Sequence, residues 1–273
     1  MTELPFFEVH DGEGPPMLLV HGMLSSRAQW LQNLARMRRF ATPVVVELLG
    51  HARSPAPDDR CAYRPEGYVE AFERIRDALG APRWIICGQS LGASLTLHYA
   101  LAHPDRVVGH VMTNSNSAFA GEAWLREIRP GLERHAERLR READDDPDRM
   151  RLAATLERMS VHPARARRLP AAVRDALIED ARLHDARGIA HTELETVLHA
   201  PVGARLAQNR VPTLLVMGAR ERRFVAQAES VASRMPALEI VSIVDAGHAV
   251  NAEAPEAFDD AVEKFAASVG ASA

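Results

Sequence analysis

Two residues of this chain are best suited to covalent chemistry: a serine inside G-x-S-x-G and a histidine in a glycine-led loop near the C-terminus. The serine lies in Ile85-Ile86-Cys87-Gly88-Gln89-Ser90-Leu91-Gly92, where a short apolar run precedes the motif and a helical pattern follows it. A serine hydroxyl is a weak nucleophile that becomes effective when a neighbouring base takes its proton. On a sharp strand-to-helix turn it needs small neighbours, because the backbone there is strained and crowded. Gly88 and Gly92 supply them. The helix start beyond Ser90 turns backbone N–H groups toward the point where negative charge develops during acyl transfer.

A base must accompany Ser90, and twelve histidines compete for that role. His98, His103, His184 and His191 fall on presumed helices and read as solvated or packed. His248 differs: it follows the apolar run Ile240–Val244 in Asp245-Ala246-Gly247-His248, with a helix beginning soon after. That places it on a loop at the carboxyl end of a strand, where sites of open α/β sheets are built. A neutral imidazole there can take the Ser90 proton and return it to a leaving group.

The third member should orient His248 and stabilise its charged form. After the apolar run Leu214–Met217 the chain reads Gly218-Ala219-Arg220-Glu221-Arg222-Arg223-Phe224, and Glu221 is the only carboxylate. Two alternatives stay open. Glu221 pairs on the surface with Arg220, Arg222 or Arg223, or the acid follows the preceding strand, where Thr113-Asn114-Ser115-Asn116 offers only amides and hydroxyls. Asp245 reads as a turn residue. For the oxyanion, the N–H of Leu91 and that of Met23, in Leu18-Leu19-Val20-His21-Gly22-Met23, are the expected donors. His21, Gly22 and Gln89 are candidate pocket residues, His21 more as a brace for its loop. Gly50-His51-Ala52-Arg53-Ser54 reads as a structural turn.

These residues need a scaffold, and the apolar pattern supplies one. Buried strands are expected at Met17–Val20, Val44–Leu48, Ile85–Cys87, Val107–Met112, Leu214–Met217 and Ile240–Val244, with an edge strand at Phe6–Val9. Helical patterns at Ser26–Arg39, Gly67–Leu79, Leu91–His103, Val225–Arg234 and Pro255–Ser268 alternate with them. Parallel strands need crossovers, so the alternation predicts an α/β fold with a doubly wound, mostly parallel sheet. From Ala120 to Asn209 there is no strand pattern, only arginine-, glutamate- and alanine-rich helical stretches broken at Asp144-Asp145-Asp146-Pro147, Pro163, Pro170 and Pro201. A core of 1–119 and 210–273 with a cap of three to five short helices at 120–209 is expected. The cap arginines Arg126, Arg129, Arg165, Arg167 and Arg168 read either as a solvated face or as ligands of a substrate carboxylate.

Bulk properties narrow the class further. The chain has 273 residues, 47% hydrophobic and 26% charged, the ordinary range of a globular enzyme. A net charge of -4 gives no reason to expect nucleic acid or a membrane surface as partner. Neither a secretory start nor a membrane-length apolar run is visible, and two distant cysteines do not suggest a disulfide framework, so a cytoplasmic protein is expected.

The His21-Gly22 turn, Gly50-His51-x-Arg53-Ser54, Gly88-x-Ser90-x-Gly92, Gly218-x-x-Glu221 and Gly247-His248-x-x-x-x-Glu253-x-Pro255 together resemble the α/β-hydrolase superfamily, in order and approximate spacing. The match looks closest to the capped, serine-nucleophile branch of esterases, carbon–carbon bond hydrolases and the menaquinone-pathway lyase. That resemblance implies a helical cap between the sixth and seventh strands of the family; the sequence itself offers no metal-binding cluster and no nucleotide loop, so no cofactor or metal is expected. The resemblance also implies hydrolysis of a small carboxylic ester or thioester, with carbon–carbon cleavage, acyl transfer, a lyase step or non-catalytic ligand binding as rivals. Relatives with an aspartate nucleophile are disfavoured by Ser90. Ala52 stands where a glycine is common, and Glu221 where an aspartate is common.

Overall fold

The computed structural model describes residues 3–145, 164, 166 and 168–270. Asp146, Pro147, Pro163, Arg165 and Arg167, invoked above, lie outside the described residues. Seven strands form one sheet: β1 (Phe7–Val9), β2 (Pro16–Val20), β3 (Thr42–Val46), β4 (Trp84–Gly88), β5 (Val107–Thr113), β6 (Thr213–Gly218) and β7 (Leu238–Ile243), in the order β1-β3-β2-β4-β5-β6-β7. β1 pairs antiparallel with β3, and all other pairs are parallel.

Both faces of the sheet are covered, which is why its central strands read as unbroken apolar runs. The side-chain period of two sorts them. Leu18, Val20, Val44, Val46 and Ile86 pack with Tyr68, Phe72 and Ile75 of helix α2 (Pro65–Ala78) and Leu95 and Tyr99 of α3 (Leu91–Ala102). Met17, Leu19, Val45, Ile85 and Cys87 face the other way. They pack against Trp30, against Met37 of α1 (Leu31–Met37), and against Phe258, Val262 and Phe265 of the C-terminal helix Pro255–Gly270. The expected helix Ser26–Arg39 is a 3-10 turn, Arg27–Trp30, running into α1, with the Ser26 hydroxyl capping Ala28 N–H.

Between β5 and β6 lies the helical insertion. It comprises α4 (Asn116–Phe119), α5 (Glu122–Asp145), α6 (Ala171–Ala181), α7 (Ala186–His191), a π-helical turn at Thr192–Thr196 and 3-10 turns ending at Gln208. Its described residues hold no strand. The expectation of uniformly short helices fails at α5, which runs 24 residues through Pro130. Ala136 and Leu139 of α5 bury against Leu24 and against Ala186, Ile189 and Ala190 of α7, and tertiary packing of that face sustains the length. Buried Asp180 of α6 docks the insertion on the sheet's rim, accepting from Ser26 Oγ at 2.6 Å and from Arg53 at 3.0 Å. Arg126, Arg129 and Arg168 are exposed.

One core group has a visible pH signature. Asp259, on the C-terminal helix, is 3% exposed and accepts from Asn33 Nδ2 at 2.9 Å. Burial pushes its pKa from 3.8 up to about 7, against the opposing pull of the Asn33 hydrogen bond and Arg36. The native state therefore keeps this proton over a range where the unfolded chain has lost it, so stability falls as pH rises from about 4 to about 7. Asp259→Asn, which retains an acceptor for Asn33, should be more stable relative to wild type at pH 8 than at pH 5, by roughly 2 kcal/mol. Urea unfolding at the two pH values measures this, and equal differences at both would contradict it.

Candidate active site

The sheet order reverses between β2 and β4: from β2 the chain moves outward to β3, then returns to the other side of β2. Ligand sites of open α/β sheets form in the crevice at the carboxyl ends of strands at such a reversal. Here β2 delivers Gly22 and Met23, and β4 delivers Gln89 and Ser90. The two turns are pressed together, for a Cβ on Gly22 would sit 2.3 Å from Gln89 Oε1 and 3.0 Å from Ser90 Cβ. A Cβ on Gly92 would meet the carbonyl oxygen of Val20 at 2.3 Å, so only glycine lets α3 start this close to β2.

Ser90 sits at φ 54°, ψ −114°, a region costly for a residue with a Cβ. The strained turn lifts its hydroxyl off the end of β4, directly before α3. His248 arrives from the loop after β7, and Glu221 from the loop after β6, as the residue preceding helix α8 (Arg222–Ala232). His248 Nδ1 and Glu221 Oε2 are 2.9 Å apart, and His248 Nε2 and Ser90 Oγ are also 2.9 Å apart. A carboxylate only accepts, so Nδ1 carries the proton and Nε2 receives the Ser90 O–H.

Glu221 is 19% exposed, and no arginine pairs with it among the described residues; Arg220 instead faces Asp245 at 3.8 Å. Its carboxylate accepts from Asn114 Nδ2 at 2.6 Å and Asn116 Nδ2 at 2.8 Å besides His248. Burial alone would raise its pKa, but the bonds from His248, Asn114 and Asn116 outweigh it and hold the group below the ordinary carboxylate range. The segment read as offering only amides and hydroxyls thus supplies no acid; it grips one. Asn114 also accepts from Gly218 N–H at 2.9 Å, stitching the end of β5 to β6, and Ser115 Oγ donates to Ser90 O at 2.6 Å. Sequence reasoning missed both asparagines, although amides one strand away from a lone carboxylate were the available signal.

Neither Met23 N–H nor Leu91 N–H has an acceptor among the described residues. Gln89 donates from Nε2 to His248 O at 3.2 Å, linking the Ser90 turn to the histidine loop. His21 is placed differently from Gly22 and Gln89. It is fully buried, donating from Nδ1 to Gly22 O at 2.7 Å and accepting from Leu48 N–H at 3.0 Å, and so braces the loop. Burial, with His51 next, pushes its pKa down to about 3 and keeps it neutral. In the Gly50–Ser54 turn, Ala52 takes φ 44° where a glycine would be unstrained. Among the described residues no group of three or more His, Cys, Asp or Glu side chains could hold a metal ion, and no helix is long and apolar enough to cross a membrane.

Serine, imidazole and carboxylate thus stand in line at the sheet reversal, beside two N–H groups that have no acceptor among the described residues. The chain matches the α/β hydrolase fold family over residues 15–255 and belongs to it. A Bacillus subtilis (strain 168) protein provisionally named 2-succinyl-6-hydroxy-2,4-cyclohexadiene-1-carboxylate synthase is 25% identical over 274 residues, 94% of this chain and 93% of that protein. Carboxylesterase YbfK of the same strain is 24% identical over 255 residues, 93% of this chain and 80% of that protein. Among solved structures, MenH from S. aureus aligns with a TM-score of 0.83 over 97% of this chain and 98% of that one, at 18% identity, a likeness of fold. Family membership and the carboxylesterase-named relative support hydrolase activity in general.

Proposed function

We propose that the protein hydrolyses a small-molecule carboxylic ester or thioester through an acyl-enzyme on Ser90. The observation that carries this reading is the unbroken hydrogen-bond chain Ser90–His248–Glu221, with both links at 2.9 Å. As Ser90 Oγ attacks the acyl carbon, His248 Nε2 takes its proton, and the ionised Glu221 stabilises the imidazolium that results. Met23 and Leu91 N–H donate to the carbonyl oxygen as it becomes an oxyanion. Collapse expels the alcohol or thiol, which takes the proton from His248; water then repeats the cycle and frees the acid. Residues 120–209 act as the cap that sets specificity over a core of 1–119 and 210–273. The triad needs no cofactor and no macromolecular partner, and the free thiols of Cys61 and Cys87 suit a reducing cytoplasm.

A second reading keeps the machinery and changes the reaction. The Bacillus relative named as a synthase favours it, since the same Ser90–His248 pair can abstract a substrate proton to begin an elimination. A fluorophosphonate probe followed by peptide mass spectrometry, with a panel of short- to medium-chain p-nitrophenyl esters, tests the proposal. Adduct on Ser90 and burst kinetics on the esters are expected. Native protein that shows no adduct would refute the acyl-enzyme reading, and an adduct without ester turnover would favour the elimination.

A further inference from the structure

The histidine and one of the oxyanion donors come from loops more than two hundred residues apart in sequence. No strand pairing joins β2 to β7, yet catalysis by the proposed triad requires both loops in one register. Behind the site lies a sealed polar string that joins them. Gly22 N–H donates to Gln29 Oε1 at 3.4 Å, and Gln29 Nε2 donates to Asn251 Oδ1 at 3.4 Å. Asn251 Nδ2 returns a bond to Gln29 O at 3.2 Å and reaches Asn33 Oδ1 at 3.4 Å. Asn33 Nδ2 in turn donates to Asn251 O at 3.1 Å and to Asp259 Oδ1 at 2.9 Å.

Gln29, Asn33 and Asn251 are each at most 1% exposed. Three amides kept from water, among the apolar side chains of Trp30, Val250 and Phe258, are a costly use of core volume. Asn251 lies three residues beyond His248, in the single turn Val250–Glu253, and Gln29 precedes α1, which follows the oxyanion loop. None of these side chains is hydrogen-bonded to Ser90, His248 or Glu221. Their bonds are directional, so they fix the distance between the two loops in a way that apolar packing would not.

We infer that Asn251 is a positioning residue, which through Gln29 holds the His248 loop in register with the Gly22–Met23 loop. The inference rests on the acyl-enzyme reading above. Its consequence is kinetic: a displacement of about an ångström between base and oxyanion donor costs on the order of 100-fold in rate. Asn251→Asp keeps the acceptor for Gln29 and loses both donated bonds, whereas Asn251→Ala loses every side-chain bond and keeps only the Asn33 bond to its backbone carbonyl.

The experiment is active-site titration with a fluorophosphonate, followed by the acylation rate per titrated site on a p-nitrophenyl ester. Normalising to titrated sites removes any fraction of misfolded chains. Expected are a fall per site of about 10-fold for Asn251→Asp and about 100-fold for Asn251→Ala, with KM changed less than twofold. A packing role alone would lower the number of titratable sites and leave the rate at each unchanged; that result overturns the inference and leaves the triad standing. Wild-type protein that fails to titrate at Ser90 overturns both.

Discussion

Ser90→Ala should leave a folded protein whose kcat on its best ester has fallen by about 10⁴–10⁶-fold. Only the hydroxyl is lost, and the partner left behind, His248, is half-exposed, so water can satisfy its Nε2. The backbone at φ 54° is as strained with alanine as with serine. Ser90→Gly removes the strain along with the nucleophile, and should be more stable than Ser90→Ala by about 1 kcal/mol. Thermal unfolding of the two variants compares the backbone effect, and stopped-flow assays give the catalytic one. Near-wild-type turnover by either variant, once contaminating wild-type enzyme is excluded, would end the assignment of Ser90 as nucleophile.

The positions of Ser90 and His248 were legible because local sequence creates their settings. A glycine pair around Ser90 between an apolar run and a helical pattern describes an elbow, and a glycine-led loop after the last apolar run describes the place of His248. The sheet was equally legible, since seven apolar runs became seven strands within a residue or two. What surrounds these residues was not. Asn114 and Asn116 reach Glu221 only because β5 and β6 are neighbours in the sheet, a fact of topology that no local window contains. Nothing in its local sequence sets Asp180 apart from the other acids of the insertion, yet it is buried against Ser26 and Arg53. The end of α5 falls at the break read at Asp144-Asp145, but its length of 24 residues, carried through Pro130, rests on packing against α7 that local sequence does not show.

Glu221 is the member of the proposed triad with the most closely defined surroundings. Its Oε2 takes bonds from both His248 and Asn114, and its Oε1 takes one from Asn116. Asn114 is held in place by bonds to both Gly218 N–H and Gly218 O, so its amide keeps the donor toward Glu221. In Glu221→Gln the surviving carbonyl can still accept from Asn114 and His248, but the charge that stabilises imidazolium is gone. The new amide also sets donor against donor, at Asn116 or at His248. A fall in kcat of about 10³–10⁴-fold is expected, with KM little changed. Glu221→Asp keeps the charge and withdraws it by one methylene from all three donors; misplacement on that scale should cost about 10–100-fold. Were Glu221 only a surface partner for its arginine neighbours, both substitutions would be nearly silent, since exposed pairs contribute about 0–1 kcal/mol. The ordering wild type, then Asp, then Gln, measured as kcat per titrated site, therefore separates a catalytic carboxylate from a surface one. A Gln variant within tenfold of wild type would remove Glu221 from the triad.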